Sequence, residues 1–127
     1  MTNNNEKPRR VYISGPMTGM PDLNFPAFYR AAEQLNAAGH DVVNPAELCK
    51  DDGMTWHDCM RVDIKALCDC DEIALLPGWE KSSGAHLELH IAHRIGLGVR
   101  FVPELERELY PAMMLDTKTG EVNIDWP

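Results

Sequence analysis

Two acidic residues in this chain stand where a carboxylate is costly. Glu88 lies in "SSGAHLELHIAHRIG", Ser82 to Gly96. Wound at about 100° per residue, Gly84, Ala85, Leu87, Leu89, Ile91, Ala92 and Ile95 form one broad face. His86, His90, His93 and Arg94 form the other, and Glu88 falls in the middle of the apolar one. Asp63 repeats the pattern in "TWHDCMRVDIKALCD", Thr55 to Asp69. Trp56, Cys59, Met60, Ile64, Ala66 and Leu67 share a face with it, while Asp58, Arg61, Lys65 and Asp69 lie opposite. A carboxylate on a packing face must be paired, hydrogen-bonded or set against a cavity. One such acid reads most simply as a satisfied structural group. Two of them, on helices flanking the same strand, point to chemistry. Carboxylates tuned to different pKa values are the usual equipment for breaking glycosidic bonds.

The histidines are more conspicuous and less telling. His86 and His90 are four residues apart, and His86-Leu87-Glu88 imitates the His-x-Glu of zinc deaminases. That signature also needs a Pro-Cys-x-x-Cys downstream, and no cysteine follows Cys70. The HExxH order of zinc proteases is absent as well. The expectation is no metal and no other cofactor, with the histidines on a solvated or interface side of the helix. Cys49, Cys59, Cys68 and Cys70 are the four cysteines. No export signal precedes them, so the expectation is structural thiols in a reducing cytoplasm. Cys68-Asp69-Cys70 is too tight for common zinc spacings.

The elements that must position the two acids alternate regularly. "RVYIS", Arg10 to Ser14, is a β-rich run ended by Gly15-Pro16. In "FPAFYRAAEQLNAAGH", Phe28, Ala31, Ala32 and Leu35 mark one helical face, and Gly39 supplies a helix stop. "DVVNP" is a second strand. Thr55 and Asp58 fit a capping box opening the helix that carries Asp63. "DEIALLP" is a third strand, the Glu88 helix follows, and "VRFVP" is a fourth strand. Strands alternating with helices predict an α/β fold, a Rossmann-like or flavodoxin-like doubly wound parallel sheet of four or five strands. In 127 residues this makes one domain. Its expected bounds are 10–103, after a polar tail over 1–9. Residues 104–127 read as a hairpin turning at Lys118-Thr119-Gly120, or as an arm against a neighbouring subunit.

Ligands of open α/β sheets bind at the carboxyl ends of the strands. Two glycine- and proline-rich loops open at that edge, "SGPMTGMPDLNFP" after strand one and "PGWEKSSG" after strand three. Ser14, Gly15, Pro16 and Met17 of the first are substrate-binding candidates. In the second, Ser82, Ser83 and Gly84 start a helix, where backbone N–H groups favour an anion or a hydroxyl oxygen. Trp79 is a candidate for stacking on a ring, its alternative being a loop anchor. The formal net charge is −8. That argues against a duplex nucleic-acid partner and for a small molecule or protein. No apolar run approaches the ~20 residues of a membrane span, and the polar N-terminus is no secretory signal.

Taken together, "VYISGPMTG", "NFPAFYRAAEQLNAAGHDVVNPAE" and "MRVDIKALCDCDEIALLPGWEKSSGAHLELHIA" resemble the nucleoside 2-deoxyribosyltransferase superfamily. The resemblance covers about residues 10 to 102 and is closest to its small phage and bacterial domains of unknown function. It implies that Glu88, four residues after Gly84, is the nucleophile at the anomeric carbon, and that Asp63 is the assisting acid. It implies that Tyr12 and Gly15 border the sugar, with Tyr12 bonded to Glu88 or the sugar. At the position of Ser82, transferases typically carry an aspartate that touches the base. The related deoxynucleoside 5′-monophosphate N-hydrolases carry a serine that touches phosphate, so Ser82 leans towards the hydrolases. Against that lean, Thr18 stands where those hydrolases have a phosphate-holding arginine, leaving Arg61 or Lys81 as substitutes. The resemblance also implies a homodimer or higher homo-oligomer whose site is completed by a partner's C-terminal segment, here Tyr110 to Met114 and the terminal hairpin.

The function expected is therefore cleavage of an N-glycosidic bond in a nucleoside or its 5′-monophosphate, by hydrolysis or by transfer to a second base. A phosphoribohydrolase would share the chemistry but accept ribose. A nucleotide-binding module of the same fold without catalysis is the alternative, since fold does not fix function.

Overall fold

A computed structural model describes residues 7–49 and 53–102. The expected C-terminal hairpin and the Tyr110 to Met114 segment lie outside the described residues, as does the tail up to residue 6. Four strands and three α-helices alternate along the chain: β1 (Arg10–Ser14), α1 (Phe25–Ala37), β2 (Asp41–Val43), α2 (Trp56–Cys68), β3 (Glu72–Leu75), α3 (Ser83–Arg94) and β4 (Gly98–Phe101). Short 3-10 turns at Pro21–Asn24, Pro45–Glu47 and Trp79–Lys81 precede α1, follow β2 and precede α3. All strand pairs are parallel, in the order β2-β1-β3-β4. This is the doubly wound α/β arrangement expected, with four strands among the described residues.

The period-two alternation of strand side chains divides the core into two layers. Val11 and Ile13 of β1, with Ala74 of β3 and Leu76 just beyond it, pack under Phe28, Ala31 and Leu35 of α1. The intervening residues, Tyr12, Ile73 and Leu75, face the other way and meet Leu67 of α2 and Ala85, Leu89 and Ala92 of α3. So α1 covers one face, and α2 and α3 cover the other.

Local chemistry sets the helix ends. Helix α1 has Pro26 in its first turn, where a missing N–H costs nothing, and Gly39 at φ +97° ends it. For α2 the capping box is present, with Thr55 Oγ1 accepting from the Asp58 N–H and Asp58 Oδ2 accepting from the Thr55 N–H. In α3, Ser82 Oγ accepts from the Ala85 N–H at 3.1 Å. At the far edge of the sheet Glu72 is buried between Arg9 and Arg100, at 2.9 and 2.8 Å.

Three expectations need correction. Leu87 and Ile95, assigned to the packing face of α3, are 38% and 51% exposed; the helix buries a narrower stripe of Ala85, Glu88, Leu89 and Ala92. His86, expected on a solvated or interface side, is only partly in solvent. It is half-buried, its ring lies against Trp79 with centroids 5.2 Å apart, and its Nε2 meets the Glu80 carbonyl at 2.7 Å. Nor are all four cysteines free. Cys49 and Cys59 are joined, their Cα atoms 5.6 Å apart. Cys68 and Cys70 remain thiols. Among the described residues no helix is long and apolar enough to cross a membrane.

Candidate active site

The strand order reverses direction between β1 and β3, where open α/β sheets form their ligand crevice. A cavity of about 530 Å³ opens there. Its floor is the end of β1 and the loop Ser14 to Thr18, its walls are α2 and the start of α3, and Asp63 and Glu88 both line it. The two misplaced acids of the sequence thus face one space, 8% and 5% exposed.

Glu88 sits one and a half turns into α3, level with the end of β1. Tyr12 and Ser14, two apart on that strand, point to the same side and both reach it. The Tyr12 hydroxyl donates to Glu88 Oε2 at 2.7 Å, and Ser14 Oγ donates to Oε1 at 2.6 Å. Each carboxylate oxygen therefore has its own donor. Burial pushes the Glu88 carboxyl up to about 7; the Ser14 and Tyr12 bonds hold it down, and the charge of Asp63 adds to the rise. Tyr12 is raised well above the ordinary phenol value, first by its own burial and then by the two acids, so it stays a neutral donor.

Asp63 is pushed up to about 6 by burial. Among the described residues none donates to its Oδ1. The asymmetry between the acids has a chemical direction. Donors stabilise an ionised carboxylate, and an oxygen without a donor tolerates a proton. Ser14 and Tyr12 thereby pull towards an ionised Glu88 with the proton on Asp63, but burial outweighs them and leaves Glu88, at about 7, a tighter proton site than Asp63, at about 6. Two coupled acids of this kind titrate as a pair.

The other residues singled out from the sequence fall differently. Gly15, Pro16, Met17, Ser82, Ser83 and Gly84 all line the cavity, with Thr18 beside them. Gly15 allows close packing: a Cβ there would stand 2.8 Å from Leu76 Cβ. Gly84 does the same less severely, since its Cβ would meet Met60 Sδ at 3.3 Å. Tyr12 is fully buried and touches the site only through Glu88, which makes it a positioning residue. Trp79 does not reach the cavity. It is 5% exposed and packs in the core beneath α3, so the stacking expectation is corrected to that of a loop anchor. Of the two cations offered as phosphate ligands, Lys81 lines the cavity. Arg61 is exposed and leans on Asp58 at 3.5 Å. Among the described residues no group of three or more His, Cys, Asp or Glu could hold a metal ion.

Sequence reasoning missed the apolar rim. Leu23, Phe25, Phe28, Met54, Trp56 and Met60 also line the cavity. Leu23 comes from a strained turn in which Asp22, Leu23 and Asn24 have φ of 52°, 54° and 62°. Three successive non-glycine residues in the left-handed region are costly, and one visible restraint is Asn24 Nδ2 donating to the Pro16 carbonyl at 2.9 Å. A signal for Trp56 and Met60 was present, because they share the α2 stripe with Asp63 at i, i+4 and i+7.

Compared with known proteins, the chain finds no match among curated ones. A family model, "Domain of unknown function (DUF4406)", matches residues 9–101. That span contains all four strands and all three helices, and every residue lining the cavity. The chain therefore belongs to the family described as Domain of unknown function (DUF4406).

Proposed function

We propose that this protein cleaves the N-glycosidic bond of a nucleoside or its 5′-monophosphate, with Glu88 as the nucleophile. The observation that carries the reading is the pair of buried acids on one cavity, with two hydroxyl donors on Glu88 and, among the described residues, none on Asp63 Oδ1. The likeness to the nucleoside 2-deoxyribosyltransferase superfamily supports the same roles.

In the first step an ionised Glu88 oxygen attacks C1′, the bond from C1′ to the base nitrogen breaks, and a glycosyl-enzyme ester forms. Asp63 gives its proton to the departing base. In the second step water adds to C1′, Asp63 recovers a proton from it, and Glu88 leaves as a carboxylate. A second base in place of water makes the enzyme a transferase. Ser14, on the cavity floor and bonded to Glu88, steadies the attacking group. A 5′-phosphate finds the first N–H groups of α3 at Ser83 and Gly84, the Ser82 hydroxyl, and Lys81, the one cation among the described lining residues. Lys81 thereby takes the part for which Thr18 lacks a charge.

The test is Glu88→Gln and Glu88→Ala against deoxynucleosides, ribonucleosides and their 5′-monophosphates, with released base measured by chromatography. Both variants are expected to lose release by a factor of about 10³ or more, the scale on which removing a nucleophile acts. Release at the wild-type rate by either variant rules out the assignment. Nucleotide binding by the wild-type protein without any base release would instead identify a binding module.

A further inference from the structure

Trp56 has no part in the pair of acids, yet it is the largest side chain on the cavity. It is 46% exposed, whereas Trp79 is 5% exposed. Leaving an indole half in water forfeits burial that this chain obtains from its other described tryptophan. It is nevertheless held in place. Trp56 is the first residue of α2, and the Thr55–Asp58 capping box fixes the backbone on either side of it. The His57 ring stands nearly perpendicular to the indole, 83° between planes and 5.4 Å between centroids. Leu23, Met54 and Met60 line the same cavity, and thioethers make an adaptable apolar wall for flat rings.

From this we infer that Trp56 is the platform on which the leaving base stacks, and that its distance from the acids selects bicyclic bases over monocyclic ones. The inference rests on the glycosidase reading for which end of the substrate is the base. Trp56, Met60 and Asp63 form one stripe of α2, and seven residues separate its ends, about 10 Å along the helix axis. A base attached at a C1′ beside Glu88 extends from the acids towards that ring. A purine reaches one ring further than a pyrimidine, so it overlaps the indole where the pyrimidine stops short. The cavity volume leaves room for a whole purine nucleotide, since small-molecule sites run from about 300 to 1,000 Å³.

The experiment compares wild-type protein with Trp56→Ala and Trp56→Phe. Turnover is measured on the deoxynucleosides and 5′-monophosphates of adenine, guanine, cytosine and thymine. Stacking on an aromatic residue is worth about 1–3 kcal/mol per base, so KM for purine substrates should rise roughly 5- to 150-fold in Trp56→Ala. The kcat should hold nearly constant, and KM for pyrimidine substrates should barely move. Trp56→Phe should recover most of the loss. Binding of deoxyadenosine monophosphate, read by calorimetry in Glu88→Gln, supplies a readout without turnover. The affinity should fall by the same factor when Trp56→Ala is added. Unchanged purine KM and affinity, or equal losses for purines and pyrimidines, would overturn the inference. Purine binding that depends on Trp56 without base release would sink the glycosidase reading and leave the platform standing. No binding of any nucleotide by the wild-type protein would sink both.

Discussion

Tyr12→Phe is the sharpest probe of the acid pair, because Tyr12 reaches the site only through its hydroxyl. The substitution keeps the ring that packs between the sheet and α3 and deletes the donor at Glu88 Oε2. The productive pair carries one proton, on Asp63, with Glu88 ionised. Burial opposes that arrangement and, net of the two donors, leaves Glu88 at about 7 against about 6 for Asp63. The two hydroxyl donors oppose burial. A hydrogen bond to a charged group is worth about 1.5–3 kcal/mol net. Removing one moves the shared proton further onto Glu88, and the population of the productive arrangement falls roughly 10- to 150-fold. The loss of the last proton from the pair shifts upward by about one to two pH units, because that proton now sits on the tighter site. The assay is kcat/KM for base release from pH 5 to 9.5. A lowered maximum with an alkaline limb displaced upward is expected. A lowered maximum with both limbs unmoved would mean that Tyr12 acts by packing alone, and the electrostatic account of the site would fail.

Two predictions concern stability. Glu88 has a folded pKa raised from 4.5 to about 7, so the folded state holds its proton more tightly than the unfolded one. Its cost is absent below pH 4.5, grows between 4.5 and 7, and is complete above 7. The full rise corresponds to about 3 kcal/mol. Glu88→Gln removes that cost, so its denaturation midpoint relative to wild type should climb from pH 5 to pH 8; a difference independent of pH refutes the assignment of the shift. Gly15→Ala forces a Cβ to within 2.8 Å of Leu76 Cβ, an atom next to the backbone with nowhere to swing. It should lose about 1–3 kcal/mol, as overpacked sites do, whereas an unchanged denaturant midpoint would mean that β1 and β3 part freely here.

The fold was legible because each element announces itself locally. The alternation in "RVYIS", the Phe28-Ala31-Leu35 stripe, the capping box at Thr55 and the glycine after α1 are all cues within one or two turns. What was not legible depends on how wide a buried stripe becomes once a neighbour lies against it. Projection put Leu87 and Ile95 with Ala85 and Leu89. The structure leaves the first two in water, because α3 packs over the strands along its narrow small-residue edge. His86 was assigned to a solvated or interface side for the same reason, since nothing in a helical projection reveals that its ring meets Trp79 and the Glu80 carbonyl in the 3-10 turn before α3. The Cys49–Cys59 pairing was hidden too, because residues ten apart in sequence share no local pattern that would bring them together.

The acids were found by their misplacement, and the same logic explains the misjudged tryptophans. A carboxylate on an apolar face is an anomaly that one helix reveals by itself. A tryptophan is at home both in a core and on a cavity wall, so periodicity cannot separate the two. Trp56, Met60, Asp63 and Leu67 form a single α2 stripe whose upper end lines the cavity and whose lower end is core. The stripe is continuous in sequence and changes function halfway along, at Asp63. Trp56 and Met60 above that residue line the cavity, and Leu67 below it packs in the core. A polar residue inside an apolar stripe thus marks the depth at which packing gives way to the cavity, and the exposed residue two turns towards the helix start is where a ligand contact belongs. By that rule Trp56, rather than Trp79, is the aromatic residue that the position of Asp63 designates.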